Sequence, residues 1–167
     1  MPSSPEFNIR PATEADIPTI LRLVRGLAEY EKLPHTVTAT EASLRESLFE
    51  RPAAEAVIGW LDDNPVGLAV YFPTYSTFLG RAGLYLEDLF VEPEHRGAGH
   101  GRRLLAHVAA VAVARGCPRL DWSVLTWNEP SIQFYRSLGA TSLDEWRTFR
   151  LSGESLVRLA TDDRPGG

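Results

Sequence analysis

The stretch richest in chemistry runs from Arg96 to Arg103, Arg-Gly-Ala-Gly-His-Gly-Arg-Arg. Glycines at positions 97, 99 and 101 let successive backbone N–H groups turn toward one point, and a helix starting immediately afterwards adds its own unpaired donors and partial positive charge. A turn of this kind binds a pyrophosphate, for whose oxygens Arg96, Arg102 and Arg103 supply cationic donors. Two other glycine-rich loops are excluded. No Gly-Lys-Ser/Thr follows, as a P-loop requires, and the spacing is G-x-G-x-G in mid-chain rather than a dinucleotide fingerprint in an opening βαβ unit. A tight turn whose glycines only permit close packing stays open on spacing alone.

The loop needs a strand before it and a helix behind it, and the apolar pattern predicts both. Leu84 to Val91 reads as the strand. A helix from about Gly101 to Arg115 carries Leu104, Leu105, Val108, Val111 and Ala112 inward and stops at Gly116 and Pro118. Upstream, Phe7 to Pro11 reads as extended. It leads to a helix whose apolar residues Ile17, Ile20, Leu21, Val24, Leu27 and Ala28 recur at three- and four-residue spacing, with Thr13 or Asp16 as its cap. A second helix is expected from about Thr40 to Phe49. The runs 56–61 and 66–72, separated by Asp62-Asp63-Asn64-Pro65, read as a hairpin. Downstream come a strand from Leu120 to Leu125, a short helix around Ser131 to Leu138 ended by Gly139, and a closing pair of strands, 146–151 and 156–159. Interleaved helices and strands of this kind make an α/β or α+β domain around one mixed sheet. At 167 residues, a single domain over 1–167 is expected, its core at about 7–160, with a frayed tail from Asp162 to Gly167.

Bulk composition narrows the function classes. A net charge of −5 argues against nucleic acid, which asks for a basic face. The one cysteine, Cys117, has no partner for a disulfide and no neighbours to hold a metal, so no metal site is expected. Neither a long apolar run nor a leader-like start at Ser3-Ser4-Pro5-Glu6 is present, so a cytoplasmic location without a membrane is expected.

Arg96 to Gly101 fits the coenzyme motif of the GNAT acetyltransferases: Arg or Gln, two residues, Gly, one residue, then Gly or Ala. Ile9-Arg10-Pro11-Ala12-Thr13, Tyr85-Leu86-Glu87-Asp88, Trp127-Asn128-Glu129-Pro130-Ser131-Ile132 and Phe134-Tyr135 follow in similar order and intervals. Over residues 7 to 160 the sequence thus resembles that superfamily, and within it the spermidine/spermine (diamine) and thialysine acetyltransferase branch. It departs in the tight turn at 62–65, where eukaryotic members carry a longer insertion, and in a shortened segment around Asp144-Glu145. The resemblance implies a splayed sheet flanked by helices. The strand before the glycine loop would be bulged, and the pantetheine arm of acetyl-CoA would insert beside it along Leu89, Phe90 and Val91 by the physics of strand addition. Arg96, Gly97, Ala98, Gly99, His100, Gly101 and Arg102 would hold the pyrophosphate, and Asn128 and Tyr135 would complete the coenzyme contacts. Asn128 is equally well placed to cap a helix. A homodimer is implied too.

An alkyl amine has a pKa near ~10.4, so at neutral pH only on the order of one molecule in a thousand can attack a thioester. A base must take its proton, and the resemblance nominates Glu87, directly or through water. Departure of the thiolate needs an acid, for which a phenol of pKa about 10 suits; the resemblance nominates Tyr135. Tyr30, Glu31, Glu87, Asp88, Trp127, Glu129 and Glu145 are expected around the acceptor, where negative charge attracts polycations. Glu87 and Asp88 are adjacent, yet strict alternation along a strand would send them to opposite faces. The expected reaction is direct acetyl transfer to a primary amine of a small cationic metabolite. A polyamine is the first choice and thialysine or another amino-acid side chain the alternative, with a protein amine below both. A noncatalytic acetyl-CoA sensor is a rival of another class, against which the presence of both Glu87 and Tyr135 argues.

Overall fold

The computed structural model describes residues 5–162, and the chain divides after Leu125 into two compact units. Of the tail expected from Asp162 to Gly167, residues 163–167 lie outside the described residues, as does the Ser3-Ser4 start. In the first unit one sheet is built in chain order from β1 (Phe7–Pro11), β2 (Glu55–Leu61), β3 (Asn64–Ser76), β4 (Arg81–Val91) and β5 (Leu120–Trp122). Neighbours are antiparallel except β4 and β5. That parallel pair needs a crossover, which α3 (His100–Ala114) provides. Preceding it are α1 (Ile17–Tyr30) and α2 (Glu41–Arg45), the latter prolonged by a wider turn over Glu46–Glu50. Among the described residues no helix is long and apolar enough to cross a membrane.

Local chemistry explains these boundaries. The Asp16 carboxylate accepts hydrogen bonds from the Thr13 N–H and hydroxyl, both at 2.8 Å, which fixes a 3-10 turn and leaves Asp16 in the cap position of α1. Pro18 then sits in the first turn, where its missing donor costs little. Ile20 and Leu23 of α1 bury themselves against Ile58, Leu68, Val70 and Phe90 on one face of the sheet, each contributing about 1.5–3 kcal/mol. On the other face α3 buries Leu104, Leu105, Val108 and Ala112. It comes so close that a Cβ at Gly67 would stand 2.9 Å from the Leu104 side chain.

Two irregularities shape β4. Its register with β3 pairs Tyr71 with Leu86 but Val70 with Asp88, so Glu87 is an extra residue, a bulge. One extra residue exchanges the faces of everything beyond it. Leu86 therefore shares the α3 face with Tyr71, over whose ring the guanidinium of Arg115, just past α3, lies at 6.0 Å. Asp88 and Phe90 share the α1 face with Val70. Along the opposite edge, β4 pairs with β5 only from Leu84↔Leu120 to Leu86↔Trp122. β5 ends there, short of the expected Leu125, while β4 continues to Val91. The two strands part just where the bulge begins.

The second unit holds α4 (Glu129–Ser137) and α5 (Gly153–Ala160). The expected closing strands are not formed: 146–152 contain no strand and 156–159 are helical. Gly-Glu-Ser-Leu-Val-Arg-Leu-Ala places Glu154 in the first turn and Arg158 in the last, matched to the helix dipole and spaced i, i+4. Over so short a window the apolar spacing Leu156, Val157, Leu159 does not discriminate between periods.

Candidate active site

Beyond Val91 the chain passes through a 3-10 turn, Pro93–His95, into the glycine loop. Gly97 and Gly99 have φ of +83° and +82°, and a Cβ at either would meet nothing within 4 Å. Glycine is demanded there by the backbone angle, and the side it leaves open faces outward. Gly99 caps α3, whose first internal bond runs from the Arg103 N–H to the Gly99 carbonyl at 3.1 Å. Helical geometry therefore leaves the N–H groups of His100, Gly101 and Arg102 without intrahelical acceptors, an anion-binding arrangement.

The freed edge of β4 leads to this loop. Neighbouring residues in a strand direct their backbone groups to opposite edges. The Glu92 N–H donates to the Val66 carbonyl of β3 at 2.9 Å, so Phe90 is also turned toward β3 while Leu89 and Val91 are turned toward the unpaired edge. Before the bulge it is Leu84 whose N–H faces the β5 side, donating to the Arg119 carbonyl at 3.2 Å. Leu89 and the Val91 N–H can thus accept an extended chain beside them. The Phe90 side chain is core, 4% exposed.

The loop's charged residues divide into packed and exposed ones. The Arg96 Nε–H donates to the Val91 carbonyl at 2.8 Å, and its guanidinium lies 4.3 Å over the Tyr30 ring and 5.5 Å over Phe90. Arg96 therefore braces the loop against the end of α1, a role absent from its expected one as a phosphate ligand. The His100 ring stacks on Phe7 at 4.1 Å, its Nδ1 buried without a hydrogen-bond partner among the described residues. Burial, then the charges of Arg103 and His95, depress its pKa. Arg103 covers the same Phe7 ring at 4.9 Å, whereas Arg102 is exposed.

Four of the residues expected around the acceptor lie at the end of α1 and along β4. Glu31 follows Tyr30 at the helix end, and burial raises its pKa. Glu87 is exposed on the bulge. Burial, then the charges of Glu87 and Glu31, push Asp88 up to about 6. Strict alternation would have separated Glu87 from Asp88; the bulge instead leaves Asp88 under the charge of both Glu87 and Glu31. Sequence patterns carry no signal for this, since a bulge is a matter of register. Nearby, a groove of about 580 Å³ runs along α1 past Arg25, Gly26, Glu29 and Tyr30 to Phe90. Glu92, Glu94 and His95 bring one potential metal-ligating atom each within 4.8 Å of one another, although Glu92 is already ion-paired with Arg22.

In the second unit, Asn128 is 5% exposed and caps α4, its Oδ1 accepting from the Ser131 N–H at 3.4 Å. Trp127 is 46% exposed. Glu129 opens α4 and is bonded by the Gln133 amide. Tyr135 lies on the same helix, its ring 5.3 Å from that of Phe134, and Glu145 is exposed beyond it.

Comparison with known proteins agrees with this geometry. Residues 22–140 match the profile of the Acetyltransferase (GNAT) family. The thialysine N-epsilon-acetyltransferase of Bos taurus is 42% identical, covering 91% of this chain and 96% of its own. The L-ornithine N5-acetyltransferase of Arabidopsis thaliana is 31% identical, over 90% and 86%. Human spermidine/spermine N(1)-acetyltransferase-like protein 1 is 33% identical over 94% of this chain but 24% of its own length. Among solved structures, an integron cassette protein of V. cholerae superposes with a TM-score of 0.78 at 26% identity, over 93% of this chain and 98% of that one. With its glycine loop, its parted β4 and β5 and these relatives, the chain belongs to the acetyltransferase (GNAT) family and is an acetyl-CoA-dependent amine N-acetyltransferase.

Proposed function

We propose that the acceptor is the terminal amine of a small cationic amino acid of the thialysine or ornithine type. The observation that carries the reading is the trio of carboxylates, Glu31, Glu87 and Asp88, at the end of α1 and beside the unpaired edge of β4. The identity to thialysine and ornithine acetyltransferases over most of the chain supports the amino-acid acceptor. The polyamine acceptor expected from the sequence keeps the support of the spermidine/spermine-like relative. Acetyl-CoA supplies an activated thioester. The loop N–H groups from Gly97 to Gly101 hold its pyrophosphate, Leu89 and the Val91 N–H hold the pantetheine arm, and Arg96 keeps the loop against Tyr30. Glu87 takes the amine proton and Tyr135 returns one to the departing thiolate; Asn128 adds a coenzyme contact to its cap. The enzyme acts as a homodimer, as the resemblance implies, and its proposed location is the cytoplasm.

A panel of thialysine, ornithine, lysine, spermidine and a monoamine, assayed for acetyl-CoA-dependent thiol release, tests the acceptor. The highest kcat/KM is expected for thialysine or ornithine. A clear preference for spermidine would restore the polyamine assignment.

A further inference from the structure

We infer that Asp88, turned by the bulge to the α1 face, holds a proton in the free acceptor site in mildly acidic solution and releases it when a cationic acceptor enters, so that acceptor binding there is linked to proton release through Asp88. The inference rests on the amine-acceptor reading above and adds to it the charge state of the empty site. It begins with the bulge. Had β4 alternated without interruption, Asp88 would share the α3 face with Leu86; the extra residue at Glu87 turns it to the α1 face, between Val70 across the ladder and Phe90 further along the strand.

The groups around it there are these. Glu31 comes from just past the end of α1, Glu87 comes from the same strand, and β3 offers the apolar Val70. The loop cation Arg96, which packs on Phe90 two residues further along β4, is engaged by the Tyr30 and Phe90 rings and the Val91 carbonyl. Among the described residues, the charges that act on Asp88 are those of carboxylates. A partly buried carboxyl surrounded by negative charge keeps its proton more strongly than usual. A value of about 6 places that proton where neutral solution can remove it. An ammonium entering beside the carboxyl reverses the balance: the O–H proton passes to buffer, and carboxylate and ammonium remain as an ion pair. Near pH 6 and below, the empty site thus carries less than its full negative charge and reaches it against a cation.

Calorimetric titration of the coenzyme A complex with spermidine and with thialysine, in two buffers of different ionisation heat, counts the protons released. An amine that binds in its neutral form adds the same count at pH 6 and pH 7.5, since it titrates near ~10.4. The carboxyl contribution is the excess at pH 6, about half a proton, falling nearly to zero at pH 7.5, and loss of this contribution in Asp88→Asn should remove about tenfold of the weakening in affinity between pH 7 and pH 5. Asp88→Asn should abolish the excess. Glu31→Gln, which removes a charge that strengthens the hold of Asp88 on its proton, should shrink it at pH 6 and move it to lower pH; coenzyme A binding checks that both variants are folded. Equal counts at pH 6 and 7.5 with normal amine binding, or an excess that survives Asp88→Asn, would overturn the inference alone. Failure of both amines to bind and to be acetylated would overturn the acceptor reading and the inference with it.

Discussion

Replacing Asp88 by Asn should stabilise the fold at neutral pH. In the folded chain the carboxyl holds its proton up to about 6, against an ordinary value of 3.8. A carboxyl raised in this way contributes stability while protonated and loses it as pH climbs from about 4 through 6, so its cost is absent at pH 4 and complete by pH 7. The gap corresponds to about 3 kcal/mol at roughly 1.4 kcal/mol per pKa unit, or roughly 6–12 °C in Tm for a chain of this size. An amide of the same shape carries no such cost. Denaturation of wild type and Asp88→Asn from pH 4 to pH 8 should give stabilities that nearly coincide at pH 4, part progressively between pH 4 and 6 and keep a constant gap above about pH 7, the variant being the more stable. Equal stability at pH 7, or a gap independent of pH, would refute the argument that burial among carboxylates governs this residue. The same variant should bind cationic acceptors less well, a stability–function trade expected where like charges are gathered for use.

Two further substitutions probe the coenzyme site and the acid. Tyr135→Phe should lower kcat by roughly ten- to ten-thousand-fold with little change in acetyl-CoA affinity, because the role proposed for the hydroxyl is to protonate the departing thiolate; turnover close to wild type across pH would make Tyr135 a packing residue. Gly99→Val should strain a φ of +82° by about 1–2 kcal/mol and project its side chain into the open space before the loop amides. Calorimetry should then show acetyl-CoA affinity reduced at least about tenfold, and unchanged affinity would separate the loop from the donor site.

Most elements were legible because each had a strong local signature. α1 announces itself through its apolar spacing and the Thr13–Asp16 contact, α3 through glycines at both ends, and the β2–β3 turn through Asp62, which takes a φ of +54°. The bulge at Glu87 was legible only through resemblance. Leu84 to Val91 reads as an unbroken run, and an extra residue becomes visible only against the register of β3. What followed from it was hidden too, namely the face on which Asp88 lies. Arg96 was legible as part of a motif but not as the brace between Val91 and Tyr30, which depends on where α1 ends. The segment after Ser152 was misread because eight residues fit either period and its end charges decide for helix.

The central claim is direct transfer of acetyl from acetyl-CoA to an amine. Thiol release should be followed with and without thialysine, with the protein and the amine products both weighed by mass spectrometry. The account predicts release only when an amine is present, matched one for one by N-acetylated amine, with no acetyl group left on the protein. Thiol release without amine accompanied by an acetylated protein, or tight acetyl-CoA binding with no release for any amine, would contradict it.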